Sequence, residues 1–257
     1  MTDLAEAFDL SSGILWLHLA VFLRVGPVIA LFPGFGEQSV PVRIKLALAL
    51  AMTAIIAPAI APDIHGAMGA PVTLVWLIFT ESTIGIILGI ATRLFLLALQ
   101  TAGSIAAQST SLSQILGSAG ATPLPAMGHL LVFGAVAFAM MLGLHVRLVE
   151  MAVLSYRVFP VARMPEAAII TQWGVAQVAE SFGFAYTLAA PFVIVSILYN
   201  LTLGIINRAM PQLMVVFVGA PAITGAALFL LMLLAPTMIG IWVEALQTFL
   251  LNPFGGR

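Results

Sequence analysis

Long stretches almost without charge limit what this chain can fold into more than any other feature. Between Arg93 and Arg147 there is no Asp, Glu, Lys or Arg. Over all 257 residues, nine Lys or Arg and ten Asp or Glu make up 7% of the chain, while 62% is apolar. A water-soluble domain carries about 25% charge. So few charged side chains cannot coat a water-facing surface of this size, and much of the exterior must meet lipid or other apolar protein. That argues against a free-standing soluble enzyme. A net charge of −1 with a single lysine, Lys45, offers no field to track phosphates, so nucleic acid is not an expected partner. The absence of cysteine excludes disulfides, thiol catalysis and Cys-based metal sites.

A helical span needs roughly 20 apolar residues, so the chain has room for about six. The candidates are residues 13–35, 46–61, 71–99, 127–146, 182–206 and 213–251. The first is interrupted by His18 and Arg24, and the second is short, ending at Pro58 and Pro62. Pro71 opens the third, where a missing N–H costs nothing. The last contains Pro221 and Pro236, which predicts two unequal helical pieces. Asp3, Glu6 and Asp9 precede any basic residue, unlike a secretory signal, so the N-terminus is expected to be retained. Short basic loops normally stay cytoplasmic. If six spans alternate, however, the loop with Arg43 and Lys45 and the segment 147–163 fall on opposite sides, and both are basic. The conflict favours an unusual bundle whose loops do not simply face two aqueous phases.

Catalytic patterns are missing: there is no His-Glu-x-x-His, no Gly-x-Ser-x-Gly and no phosphate loop. The four histidines are widely separated, so neither a metal site nor a cofactor is expected. Charges within apolar spans are more informative, since an ionised group at mid-bilayer costs about 2.5–3.5 kcal/mol. Arg24, Glu81, Arg93, Glu180, Arg208 and Glu244 are such charges, and they either relay ions or pair, snorkel or sit in interfaces. Glu81, Gly85, Gly89 and Arg93 recur every four residues and form one helical ridge where another backbone can approach closely. We read this ridge as a subunit interface. Glu81 and Arg93 lie twelve positions apart, about 18 Å along a helix, and cannot pair with each other. Arg208, Pro211 and Gln212 form a polar connection before the last apolar region. There Pro211 is expected to break the helix while Arg208 and Gln212 bond free carbonyls of this or an adjacent subunit.

Residues 100–125 carry Ser, Thr, Gln, Gly and Ala without one charge. Read as irregular backbone, they must lie in protein or line a wet cavity, because lipid cannot solvate them. Ser109, Thr110, Ser111, Ser113 and Gln114 suit a surface past which varied polar groups slide, and Leu112, Ile115 and Leu116 suit an apolar constriction. An ordinary connecting loop is the alternative.

Asn207-Arg208-Ala209-Met210-Pro211-Gln212-Leu213, followed by Val215-Val216-Phe217-Val218-Gly219-Ala220-Pro221, resembles the FliR family of flagellar export-gate proteins, whose injectisome counterparts form the T component of type III secretion gates. Phe22-Leu23-Arg24-Val25-Gly26, continuing through Phe32-Pro33-Gly34-Phe35-Gly36 to Val40-Pro41-Val42-Arg43, is similar to the same family, as are Ala102-Gly103 and Leu112-Ser113. The chain departs from the family pattern at Ser104 and Ala107. The resemblance implies an all-α fold of membrane-derived hairpins with kinked helices, packed in a helical ring with FliP-like and FliQ-like subunits. Residues 1–180 would be the FliP-like part and 181–257 the FliQ-like hairpin. It further implies a FlhB-like export switch protein as partner, unfolded flagellar proteins as substrates, a place in the bacterial inner membrane at the flagellar basal body, and a plug around residues 109–122. An injectisome gate component and an independent secondary transporter are the alternative functions, with an intramembrane enzyme third.

Overall fold

The computed structural model describes residues 2–64, 73–111, 126–210 and 215–255. They form seven helices: α1 Thr2–Leu31, α2 Val42–Ile64, α3 Leu74–Ser111, α4 Ala126–Met141, α5 Leu144–Val158, α6 Ala167–Ala209 and α7 Val215–Leu251. Among the described residues there is no strand, so the fold is all-α as expected. Five helices are long and apolar enough to cross a membrane, or six if the broken pair α4–α5 counts as one span.

Prolines interrupt these helices less than the sequence suggests. α2 continues through Pro58 and Pro62, and α7 runs unbroken from Val215 to Leu251 past Pro221 and Pro236, where two pieces were expected. Pro27 and Pro191 also lie inside helices. Proline removes one backbone donor, but in an apolar setting the remaining backbone groups have no water to turn to and keep their helical partners.

A second departure concerns the uncharged segment. Residues 100–111 are the last turns of a 38-residue helix, not irregular backbone. Their hydroxyls bond back along the helix: Ser104 to the Gln100 carbonyl at 2.9 Å, Ser109 to Ala106 at 2.9 Å, and Thr110 to Ala107 at 2.9 Å. Polar side chains that satisfy themselves in this way fit an apolar helix. The expected fourth span is also shorter. α4 stops at Met141, and Gly143, at φ 82° and ψ 31°, takes the left-handed conformation that glycine adopts without steric cost before α5 begins. Arg147, Glu150 and Arg157 lie on α5, with Arg147 and Glu150 paired at 2.7 Å.

The chain divides into two compact units interleaved in sequence. Unit 1 comprises residues 1–94, 140–176 and 246–257. Within it α1 packs on α2 and α2 on α5, around a core that includes Val25, Ile29, Phe32, Ile56, Leu88 and Leu148. The turn after α1 is closed by Gly36, whose N–H donates to the Phe32 carbonyl at 2.7 Å and whose own carbonyl accepts from Lys45 Nζ at 3.0 Å. Unit 2 comprises residues 95–139 and 177–245, with Leu99, Ala102, Leu131, Ala185, Phe192 and Trp242 in its core. There Gly103 faces Gly128 so closely that a Cβ on Gly103 would stand 2.3 Å from the Gly128 Cα, so α3 and α4 cross backbone against backbone. Trp242 is fully buried and donates Nε1–H to the Phe95 carbonyl at 2.8 Å.

Candidate functional site

Unit 1 contains a buried ionic cluster. Arg24 on α1 and Glu81 on α3 are 1% and 0% exposed, and Arg24 Nε donates to Glu81 Oε2 at 2.8 Å. Two buried charges persist in an apolar interior only when their remaining hydrogen-bonding groups are also engaged. Here they are. Arg24 Nη1 donates to Ser155 Oγ at 3.2 Å and Nη2 to the Phe159 carbonyl at 2.9 Å. The guanidinium carbon lies 3.8 Å from the centroid of the Tyr156 ring, a cation–π contact. Glu81 Oε1 accepts the Ala162 N–H at 2.9 Å.

The cluster therefore ties α1 and α3 to the end of α5 and the connection that follows. Pro160 prevents α5 from continuing, and the Phe159 N–H closes its last turn on the Ser155 carbonyl at 2.8 Å. Ala162 then takes φ 60°, which is strained for a residue with a Cβ. Glu81 holds its N–H, and Trp76 Nε1–H donates to its carbonyl at 2.9 Å. Of the readings open for Arg24 and Glu81 from sequence, the structure shows pairing with each other.

The ridge of α3 is filled by the same chain. A Cβ on Gly85 would lie 2.2 Å from the Arg24 carbonyl oxygen, and one on Gly89 would lie 2.9 Å from Leu31 Cβ and 3.1 Å from the Pro27 carbonyl oxygen. α1 thus occupies the close approach that the glycines permit. One turn further on, Arg93 Nη1 is 3.9 Å from Glu37 Oε1 in the turn after α1. Glu81, Gly85, Gly89 and Arg93 are therefore brought together by α1 and its following turn.

The root of the uncharged segment lies in unit 2. Ser109 and Thr110, each 9% exposed, lie in the last turn of α3. The Ser109 carbonyl, in the last turn of α3, accepts the buried hydroxyl of Ser196 on α6. Asn200 Nδ2 donates to Ser196 Oγ at 3.2 Å, and the Tyr199 hydroxyl donates to the Gly219 carbonyl of α7 at 2.5 Å. Ser196, Tyr199 and Asn200 were missed by sequence reasoning, because isolated polar residues on an apolar helix give no sign of what they meet. Ser111 is the last helical residue. Leu112, Ser113, Gln114, Ile115 and Leu116 lie outside the described residues, as do Pro211 and Gln212. Arg208 stands exposed in the last turn of α6. Among the described residues, no three His, Asp or Glu side chains group as metal ligands.

A buried ion pair, glycines at close helix contacts and many large apolar side chains left exposed describe a membrane protein. Comparison with known proteins gives that architecture a family. Residues 15–249 match the model of bacterial export proteins, family 1. The flagellar biosynthetic protein FliR of Caulobacter vibrioides is 32% identical over 97% of this chain and 98% of its own. FliR of Escherichia coli K12 is 28% identical over 92% and 91% respectively. FliR of Bacillus subtilis is 26% identical over 88% of each. With a family model spanning most of the chain and a relative above 30% identity aligned nearly end to end, this chain belongs to the bacterial export proteins of the FliR family, components of the flagellar export apparatus.

Proposed function

We propose that the chain is a core subunit of the flagellar type III export gate, forming and gating the channel through which unfolded flagellar proteins leave the cell. In this reading it sits in the bacterial inner membrane at the flagellar basal body, beside FliP-like and FliQ-like subunits and near a FlhB-like export switch protein. Residues 1–180 take the FliP-like place, and residues 181–257, most of α6 with α7, form the FliQ-like hairpin.

The observation that carries the proposal is the length and apolarity of α6. Its 43 residues span about 65 Å, roughly twice the ~30 Å hydrocarbon core of a bilayer. Large apolar side chains stand exposed along its whole course: Ile169 at 60%, Phe182 at 56%, Ile194 at 57% and Ile205 at 63%. Lipid covers at most about half of such a helix. The rest of its apolar face needs other protein. Because α1 already fills the Glu81–Gly85–Gly89 ridge, the subunit contacts fall to the exposed faces of α6 and α7 and to the connection containing Arg208, Pro211 and Gln212.

The gate is assigned to the uncharged segment rooted at Ser109 and Thr110. A channel for unfolded chains must admit varied side chains yet hold back ions at rest. A neutral segment with Leu112, Ile115 and Leu116 meets both needs, whereas fixed charges would bind oppositely charged cargo. Deleting residues 112–120, which leaves α3 and its bond to Ser196 intact, is expected to make the assembled gate leak small ions while some export continues. Conductance across membranes containing the complex measures this. An ion-tight deletion variant with full export would place the seal in a partner subunit.

A further inference from the structure

We infer that the C-terminal turn, residues 252–255, is a clasp that closes unit 1 by locking the α5–α6 connection to the start of α6. After α7 the chain turns back, with the Asn252 N–H on the Phe249 carbonyl at 3.1 Å and the Gly255 N–H on the Asn252 carbonyl at 3.3 Å. The turn places Phe254 between two rings. It meets Phe159 edge-on, with centroids 4.7 Å apart and planes at 85°, and Trp173 at 5.2 Å and 38°. Trp173 Nε1–H donates to the Pro253 carbonyl at 3.0 Å, and Pro253 is buried. Edge-on and offset ring pairs are the favoured aromatic geometries, and the half-buried indole N–H finds its acceptor in the turn. Trp173 and the turn thus satisfy each other.

Phe159 links this contact to the buried ion pair. Its ring holds Phe254, while its carbonyl takes Arg24 Nη2 at 2.9 Å. The connection after α5 is therefore gripped from one side by the buried ion pair and from the other by the clasp. Arg163 stands exposed within that connection. Unit 1 draws on residues 1–94 and 140–176 and is completed by residues 246–257. The turn thus joins Phe159, at the end of α5, to Trp173 near the start of α6.

The test is tryptic cleavage after Arg163 in the full-length chain, co-expressed with the export-gate subunits and purified in mild detergent. Cleavage of a locally opened connection follows its open population, so Phe254→Ala is expected to raise the rate about tenfold, with Phe254→Tyr near wild type. Wild-type cleavage of Phe254→Ala would overturn the clasp. If Phe254→Ala does not accumulate, Trp173→Phe removes the indole donor to Pro253 while keeping one aromatic ring at the position. It is expected to speed amide hydrogen exchange in residues 252–255 about threefold, and unchanged exchange there would equally overturn the proposal. Ile44→Val, at an exposed position on α2 outside the clasp, is the control and is expected to leave both readouts unchanged.

Discussion

Glu81→Ala is expected to be among the most destabilising single changes in this protein, costing about 3–5 kcal/mol, because it leaves a buried guanidinium without its counter-charge. The Ala162 N–H loses its acceptor at the same time, which frees a strained residue from the carboxylate that holds it. Full-length protein recovered from membranes, and its melting temperature in detergent, are the measurements. Removing both charges together, as Arg24→Met with Glu81→Leu, is expected to restore part of the loss, since no buried charge is left unpaired, while the Phe159 carbonyl and Ala162 N–H still lose their partners. A neighbouring change should behave in the opposite way. The Tyr156 hydroxyl is buried without a hydrogen-bond partner among the described residues, while its ring supplies the cation–π contact. Tyr156→Phe keeps the ring and is expected to be neutral or slightly stabilising. A Glu81→Ala protein as stable as the parent would show that the pair contributes nothing.

Gly85→Ala is the second change with a large expected effect. In a helix interior, glycine to alanine ordinarily gains about 0.5–1 kcal/mol. At Gly85 the added methyl would lie 2.2 Å from the Arg24 carbonyl oxygen, and backbone cannot turn aside as a flexible side chain can. α1 and α3 must separate, which pulls Arg24 away from Glu81, and a loss of about 3 kcal/mol or more is expected. Gly26 on α1 has nothing within 4 Å of its would-be Cβ. Gly26→Ala is therefore the matched control, expected to be neutral or stabilising. Equal melting temperatures for the two variants would remove close packing as the reason for glycine at position 85.

The sequence placed the spans well because apolar runs bounded by Pro, Gly and charge mark helices that sit in or against lipid. It misjudged the Ser- and Thr-rich residues 100–111. In water such residues compete for backbone bonds and favour turns, whereas here Ser104, Ser109 and Thr110 satisfy themselves on carbonyls three or four residues back. Pro221 and Pro236 misled in the same direction, since a helix-breaking signal calibrated on soluble proteins is weaker where the backbone has no solvent to bond. The four-residue spacing of Glu81, Gly85 and Gly89 was read as a subunit interface, and α1 of the same chain lies against it, because spacing along one helix cannot say which helix arrives. Arg24, 57 positions from Glu81, has no local signal naming its partner. The Phe159–Phe254–Trp173 contact is hidden for the same reason, because the residues that meet come from three separate parts of the chain.

That α6 is a subunit helix covered by protein well beyond one bilayer thickness is tested most directly by site-specific photocross-linking in the native membrane complex. A photoreactive side chain is placed at Ile169 in one variant and at Ile205 in another, positions that stand exposed 36 residues apart on a single helix, about 54 Å at 1.5 Å per residue. Adducts to other protein subunits are expected at both positions, since a ~30 Å hydrocarbon core cannot cover both ends. Lipid adducts alone at both positions, in a chain that purifies as a stable monomer, would contradict it.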